Sequence, residues 1–329
     1  MSGPPLVSVL LASRDGAQFL PAALASLKAQ TWPQVEIVAV DDGSRDETAA
    51  ILVRFAASHP RMRVLHGAGA GLAAALARAA REAEGEFFAR QDDDDLSRPE
   101  RLERQVTHLM GHPEVAVLGS AAEIVDERGQ RLDDYPIPGD PAAIRRLLRR
   151  APPFVHGSVM MRREAYQAAG GYRPAFLASQ DYDLWLRLSE DAVLANLPEP
   201  LYAWRRHPGS VFARARARQL FYNAVAREFA RERRATGRDA VELLEHSAGE
   251  AEFLAAYPRA GRLLATLGEL YVREGRLDEA RRLLFRALAG RGGRTRAGAW
   301  LAVSVAMTFT PRAARARAAH RATVAGPVT

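Results

Sequence analysis

In the first hundred residues short apolar runs alternate with helical periodicity, and that alternation restricts the fold more than any other property of the chain. Residues 7–12, 35–40, 62–66 and 87–90 read as buried strands, rich in β-branched or aromatic residues and bounded by turn formers. Residues 17–30, 46–59 and 72–82 between them read as helices. Such alternation implies parallel strands joined by right-handed crossovers. Two capping boxes are expected: Ser44 precedes Glu47 by three residues, and Ser97 precedes Glu100 by three with Pro99 in the first turn. Each follows an acidic cluster, Asp41-Asp42 and Asp92-Asp93-Asp94-Asp95. Both clusters therefore fall at carboxyl ends of strands, where open α/β sheets bind ligands.

Beyond residue 115 the pattern is mixed, with strands expected at 155–161, 193–197 and 201–204 and a helix at 182–190. After about residue 213 only helical periodicity remains. The expected division is an α/β domain over 1–212, with a mostly parallel sheet flanked by helices, and a helical region over 213–329. Within that region residues 263–275 and 277–289 resemble one tetratricopeptide helix pair. One pair cannot build a solenoid, so an ordinary helical hairpin packed on the α/β domain is expected.

Composition narrows the function classes. A 329-residue chain that is 48% hydrophobic and 26% charged can bury a substantial core. It has no cysteine, which excludes disulfides and thiolate-bound zinc and fits a reducing compartment. The start lacks a basic segment before its apolar run, so no secretory signal is expected. Residues 297–310 are apolar but shorter than the roughly 20 residues of a spanning helix. The formal charge is +7, Lys28 is the only lysine, and from Arg291 onward there are seven arginines and no acidic residue. That basic tail reads either as a solvated face or as a surface for anionic lipid, nucleic acid or a partner. No nucleic-acid-binding module accompanies it, so nucleic acid is not an expected partner.

The four adjacent aspartates are the strongest chemical feature. Their mutual repulsion is relieved by a divalent cation, and hard carboxylate oxygens suit Mg²⁺ or Mn²⁺ that keep positions open for phosphate. An acidic turn capping the next helix is the plainer alternative. The second cluster, Asp41-Asp42, lies on a different parallel strand and can face the same crevice, where a carboxylate accepts from a nucleobase or ribose. Asp181, two residues after Ser179 at a helix start, is placed to act as a general base or simply to complement the helix dipole. In Trp204-Arg205-Arg206-His207 an arginine can pair with phosphate and a histidine can ligate a metal.

Together these segments resemble the family 2 glycosyltransferases, which have the GT-A fold. Val7-Ser8-Val9-Leu10-Leu11 resembles their first strand, and Val38-Ala39-Val40-Asp41-Asp42-Gly43-Ser44 their nucleotide-binding turn. Ala89-Arg90-Gln91-Asp92-Asp93-Asp94-Asp95, followed by Pro99-Glu100-Arg101-Leu102, resembles their D-x-D segment and the helix after it. Gly157-Ser158-Val159-Met160, Gly170-Gly171-Tyr172 and Gln180-Asp181-Tyr182-Asp183-Leu184-Trp185 match the acceptor-side half in order, so the resemblance covers residues 5–211. It implies a nucleotide-sugar donor, most naturally a UDP-sugar, a divalent metal and inversion at the anomeric carbon. By that resemblance Ser13, Asp41, Asp42, Gly71, Asp92 and Arg205 line the donor site, Asp94 and His207 hold Mn²⁺ or Mg²⁺, and Asp181 is the base. Three departures bear on the details. Gln180 stands where an acidic residue often precedes the base, and the first strand ends Ala12-Ser13-Arg14-Asp15 where Pro-Thr-Tyr-Asn is usual. The Q-x-x-R-W motif of processive synthases is absent.

The expectation is an inverting glycosyltransferase that adds one sugar to a glycan or lipid-linked acceptor in surface polysaccharide or glycolipid synthesis. It would be cytoplasmic, touching the inner face of the membrane through residues 291–329. A non-enzymatic arginine-rich binding module would account for the helical region but not for the aspartates. A dehydrogenase reading rests on Gly67-Ala68-Gly69-Ala70-Gly71, whose third glycine is misplaced and which follows the third strand rather than the first.

Overall fold

The computed structural model describes residues 3–207, 216–289 and 294–308, which divide into two units, Met1–Ala215 and Arg216–Thr329. In the first unit β1 (Val7–Ser13), β2 (Val35–Asp41), β3 (Met62–His66) and β4 (Phe87–Asp92) alternate with α1 (Leu20–Lys28), α2 (Thr48–Ala56) and α3 (Leu72–Glu82). These strands lie parallel in the order β3-β2-β1-β4. All seven residues of β1 are buried, the continuous apolar run expected of a strand covered on both faces.

The second half of the unit extends the sheet. After the two-residue β5 (Leu96–Ser97) come α4 (Arg101–Gly111), β6 (Val115–Val125), β7 (Arg131–Tyr135) and α5 (Pro141–Leu148). A 3₁₀ turn (His156–Ser158), β8 (Met160–Arg162), α6 (Arg163–Ala168), α7 (Gln180–Asp191) and β9 (Val193–Arg205) complete it. The sheet continues β4-β8-β6-β9-β5, with β7 on β6. Here β8 runs antiparallel to both neighbours, while β6 and β9 pair in parallel. The two strands expected at 193–197 and 201–204 are one strand, whose register against β6 shifts around Ser120 and Ala121 where Pro198 and Pro200 interrupt the ladder.

Neither expected capping box forms. Helix α2 begins at Thr48, whose N–H is taken by Asp46, while the Ser44 hydroxyl accepts from the Asp15 N–H at 3.0 Å. Ser97 is buried, donates to Gln91 at 2.6 Å and accepts from Arg101 at 2.8 Å, so a core polar network claims the hydroxyl a cap would need. The apolar run at 155–161 is likewise not one strand, because the 3₁₀ turn interrupts it before β8.

The second unit is helical: α8 (Arg216–Thr236), α9 (Val241–Glu245), α10 (Glu250–Ala256), α11 (Ala260–Arg273), α12 (Leu277–Ala289) and α13 (Arg294–Thr308). Its small core joins Leu264, Ala265, Leu284 and Ala287 to Ala297, with Trp300 and Leu301 packed against them. Arg273 lies over the Trp300 ring at 5.1 Å. Helix α13 thus packs a partly buried Trp300 against α11 and α12, while Val303 and Val305 are exposed. Phe309, Arg312, Arg315, Arg317 and Arg321 of the expected lipid-facing tail lie outside the described residues. Among the described residues no helix is long and apolar enough to cross a membrane.

Candidate active site

Parallel pairing brings the carboxyl ends of three strands together. In the register Ser13 stands opposite Asp41, and Ala12 opposite Asp92. The two carboxylates of the first cluster have different environments. Asp42 accepts from the N–H groups of Gly69 (3.0 Å), Ala70 (2.9 Å) and Gly71 (2.7 Å), so it folds residues 67–71 around itself. Gly71 begins α3 at φ +94°, a conformation a side chain would disfavour. Asp41 accepts from the Ser44 N–H at 3.1 Å, and its other oxygen lies 3.6 Å from the exposed His66 imidazole. The glycine-rich segment therefore directs its N–H groups at Asp42, which removes the basis for the dehydrogenase reading.

Each member of the acidic run meets a different partner. Asp92 accepts from the buried Arg90 guanidinium and Asp93 from the Ser13 hydroxyl. Asp94 Oδ2 lies 2.9 Å from His207 Nε2, and buried Asp95 accepts from the Arg205 N–H at 2.7 Å. Burial raises all three of Asp92, Asp93 and Asp95. For Asp92, Arg90 opposes the shift and the Asp94 charge adds to it. Asp93 is pushed up to about 7, with Asp94 contributing and Ser13 opposing. Asp95 is held well above the usual carboxylate range, with the charges of Asp94 and Asp92 adding to burial. This crowding is what a divalent cation would relieve.

The pair Asp94 and His207 fits a metal that also binds phosphate. Among the described residues no group of three or more acidic or histidine side chains is arranged to hold an ion. One carboxylate and one imidazole suit a cation that completes its shell with diphosphate oxygens and water. The Phe19 ring fixes this corner, lying 4.7 Å from the His207 ring and 4.8 Å from the Arg205 guanidinium. Arg205 itself donates to the Asp94 carbonyl (2.7 Å) and to the carbonyls of Asp126 (3.1 Å) and Glu127 (2.8 Å). Its guanidinium braces the loop behind the acidic run.

Beneath the run lies a buried polar frame that the sequence reading missed. Arg101 donates to the carbonyls of Arg90 (2.7 Å) and Val159 (3.2 Å), and burial lowers it to about 10. The Asp92 N–H donates to the Tyr202 hydroxyl at 3.2 Å. Gly157 packs so closely here that a Cβ would stand 1.9 Å from that hydroxyl and 2.7 Å from Asp92 Oδ2. Arg90 falls within residues read from sequence as a buried strand. A charge at such a position must find a partner, and that was the available signal.

Asp181 lies in the first turn of α7, two residues after Ser179, which is in the left-handed region at φ +55°. Burial pushes its carboxyl up to about 6, backbone N–H groups oppose the shift, Asp92 adds to it, and Arg90 opposes it. His156 Nε2 lies 2.8 Å from the Tyr172 hydroxyl, and burial, reinforced by Arg90, holds the imidazole well below its usual value. Asp183 points elsewhere. Fully buried, it accepts from Arg187 Nε (3.0 Å) and Nη2 (2.8 Å), and Arg187 donates on to the carbonyls of Ala169 and Gly171. That ion pair pins the Gly170-Gly171 turn against α7.

A parallel sheet extended by antiparallel strands, with carboxylates from separate strands along one edge, is the architecture of a GT-A glycosyltransferase. Solved structures agree on the fold. Staphylococcus aureus TarS 1–349 in complex with UDP-GlcNAc aligns at TM-score 0.59 and 18% identity, covering 90% of this chain and 91% of that one. Mannosyltransferase PcManGT from Pyrobaculum calidifontis, in complex with GDP-Man and Mn²⁺, aligns at TM-score 0.55 and 21% identity over 95% and 83%. The Glycosyl transferase family 2 profile matches residues 8–170. EpsE of Bacillus subtilis is 35% identical over 214 residues, 62% of this chain and 74% of its own length. The amylovoran biosynthesis glycosyltransferase AmsE of Erwinia amylovora is 35% identical over 198 residues, 59% and 73% respectively. The chain belongs to glycosyltransferase family 2.

Proposed function

We propose that the enzyme transfers one sugar, with inversion, from a nucleotide-sugar donor to a hydroxyl of a glycan or lipid-linked acceptor in polysaccharide or glycolipid synthesis. The observation that supports this reading is the pairing of Asp94 with His207, with Asp181 near enough to Asp92 and Arg90 for their charges to act on its carboxyl. Asp41, Asp92 and Ser13 would receive the nucleoside, with Asp42 and Gly71 shaping the loop beside it. A divalent ion on Asp94 and His207 would neutralise charge gathering on the departing nucleoside diphosphate. Asp181 takes the proton from the acceptor hydroxyl as its oxygen forms the new bond to the anomeric carbon. The bond from that carbon to the diphosphate oxygen breaks with its electron pair leaving on the diphosphate.

UDP-sugars are the favoured donors by family resemblance, and the naming of AmsE for amylovoran biosynthesis supports polysaccharide as the product class. We also propose peripheral contact with the inner membrane face through the basic segment after residue 290. A panel of UDP-, GDP- and dTDP-sugars, each with Mn²⁺, Mg²⁺ or EDTA, tests the donor by thermal stabilisation, since a ligand of the native state alone raises its melting temperature. One nucleotide class should stabilise the protein only with metal. Equal stabilisation in EDTA, or none with any donor, would overturn the metal-dependent reading.

A further inference from the structure

The helical unit carries a feature that sugar transfer does not use. An open groove of about 510 Å³ is lined by Arg231 of α8, Arg262 of α11, and Arg294, Thr295 and Arg296 of the first turn of α13. Among the described residues two carboxylates lie against these guanidiniums, and both are buried. Arg231 donates to Glu228 and Arg296 to Glu269, while Arg262 Nε is 4.0 Å from Glu228. Glu269 is shared further, with Arg273 at 3.0 Å and Arg227 at 3.9 Å. Arg294 is exposed and has no carboxylate partner among the described residues. Among the described residues Glu228 and Glu269 thus each lie within 4.0 Å of more than one arginine, with Arg294 beside them.

We infer that this groove is a binding site for a phosphate-type dianion, held by Arg231, Arg262, Arg294 and Arg296 at the start of α13. Planar guanidinium forks match phosphate oxygens in bidentate geometry. The 15-residue α13 presents the positive end of its dipole to the same space. The volume falls within the range of small-ligand pockets, about 300–1,000 Å³. Crowding supports the assignment: burial lowers Arg231 although Glu228 opposes it, and the charges of Arg296 and Arg262 add to the lowering. No aspartate or glutamate occurs between Arg296 and Thr329. The ligand is either a soluble phosphate or diphosphate ester or the phosphomonoester headgroup of a lipid. The inference stands on the helical unit alone and does not depend on the donor or base assignments above.

Titration calorimetry on the full chain in EDTA, with inorganic pyrophosphate as the probe, tests it without metal-mediated binding at the catalytic centre. A parallel sedimentation assay uses phosphatidylcholine vesicles with and without phosphatidic acid. The variant Arg262→Gln/Arg294→Gln alters two solvent-reaching side chains and should melt like the wild type. It should bind pyrophosphate at least about tenfold more weakly, since each lost charge-assisted bond removes about a factor of ten or more. Phenylglyoxal footprinting of the unmutated chain provides a second readout, in which pyrophosphate should protect Arg262 and Arg294. Binding of either probe that the double variant loses supports the site, and the arm that responds identifies the soluble or the lipid source. Absence of binding to both probes, or equal binding by wild type and variant, overturns it.

Discussion

Replacing Asp181 by asparagine should separate binding from chemistry and make the folded protein more stable. Its carboxyl is raised from an ordinary 3.8 to about 6, chiefly by burial. As a base it works ionised, so transfer should fall as pH drops through about 6, reaching about a tenth of its plateau at pH 5. Asparagine cannot accept the proton, and kcat should drop by about 10²–10⁴-fold while donor affinity holds. The stability effect has the opposite sign. A carboxylate whose folded pKa is raised is fully tolerated below pH 4 and opposes folding increasingly as pH climbs to about 6, after which the penalty is constant. The gap sets a ceiling of about 3 kcal/mol, and because Asp181 is partly exposed a gain of about 1 kcal/mol or more is expected for Asp181→Asn at pH 8. At pH 4 the two proteins should unfold alike. Initial rates of nucleoside diphosphate release across pH 4.5–8.5, with urea unfolding at pH 4 and pH 8, measure both. Transfer within a few-fold of wild type would refute the base assignment. A variant less stable at pH 8 would refute the account of its environment.

Asp94→Ala should abolish Mn²⁺- or Mg²⁺-dependent transfer and weaken nucleoside diphosphate binding with the melting temperature retained; normal turnover, or wild-type activity that survives EDTA, would count against the metal assignment. Asp183→Ala leaves Arg187 buried without its carboxylate and should destabilise the fold by about 3–5 kcal/mol in urea unfolding. A loss under 1 kcal/mol would show that the Arg187 bonds to Ala169 and Gly171 suffice without it. Gly157→Ala sets a methyl group against Tyr202 and Asp92. It should therefore lower transfer sharply, and unchanged donor affinity and rate would mean that this wall of the crevice yields freely.

The strands beside the two acidic clusters were legible because burial on both faces leaves a continuous apolar signature. β1, β2 and β4 differ from their expected bounds only by extension at the carboxyl end, to Ser13, Asp41 and Asp92. The polar residue that ends each run is still hydrogen-bonded in the ladder, and an apolar criterion stops short of it. The pairing of β6 with β9 was not legible, since periodicity does not reveal a partner as distant in sequence as Val193 is from Val115. Nor was the separation of Asp41 from Asp42. It depends on residues 67–71 folding back to donate three N–H groups to one carboxylate, a tertiary fact with no local trace. The two absent capping boxes fail for the same reason, because Ser97 is nearer to Arg101 and Gln91 in the folded core than to a free helix end.

The partners of the acidic run also bear on which of its members can hold a metal. Arg90 and the Arg205 N–H hold Asp92 and Asp95 through groups that can only donate, so neither partner could join its carboxylate in binding a cation. Asp93 meets a hydroxyl, and burial together with the Asp94 charge pushes its carboxyl up to about 7. Asp94 meets an imidazole. A neutral ring that carries its proton on Nδ1 could exchange this contact for a nitrogen–metal bond, so both sides of the pair would be available as ligands. The exchange needs little rearrangement, since Phe19 and the carbonyl-bonded Arg205 already fix the chain on which His207 is carried. Four adjacent aspartates are thereby tolerated at a junction of β1, β4 and β9, and the third of them is the one paired with an imidazole.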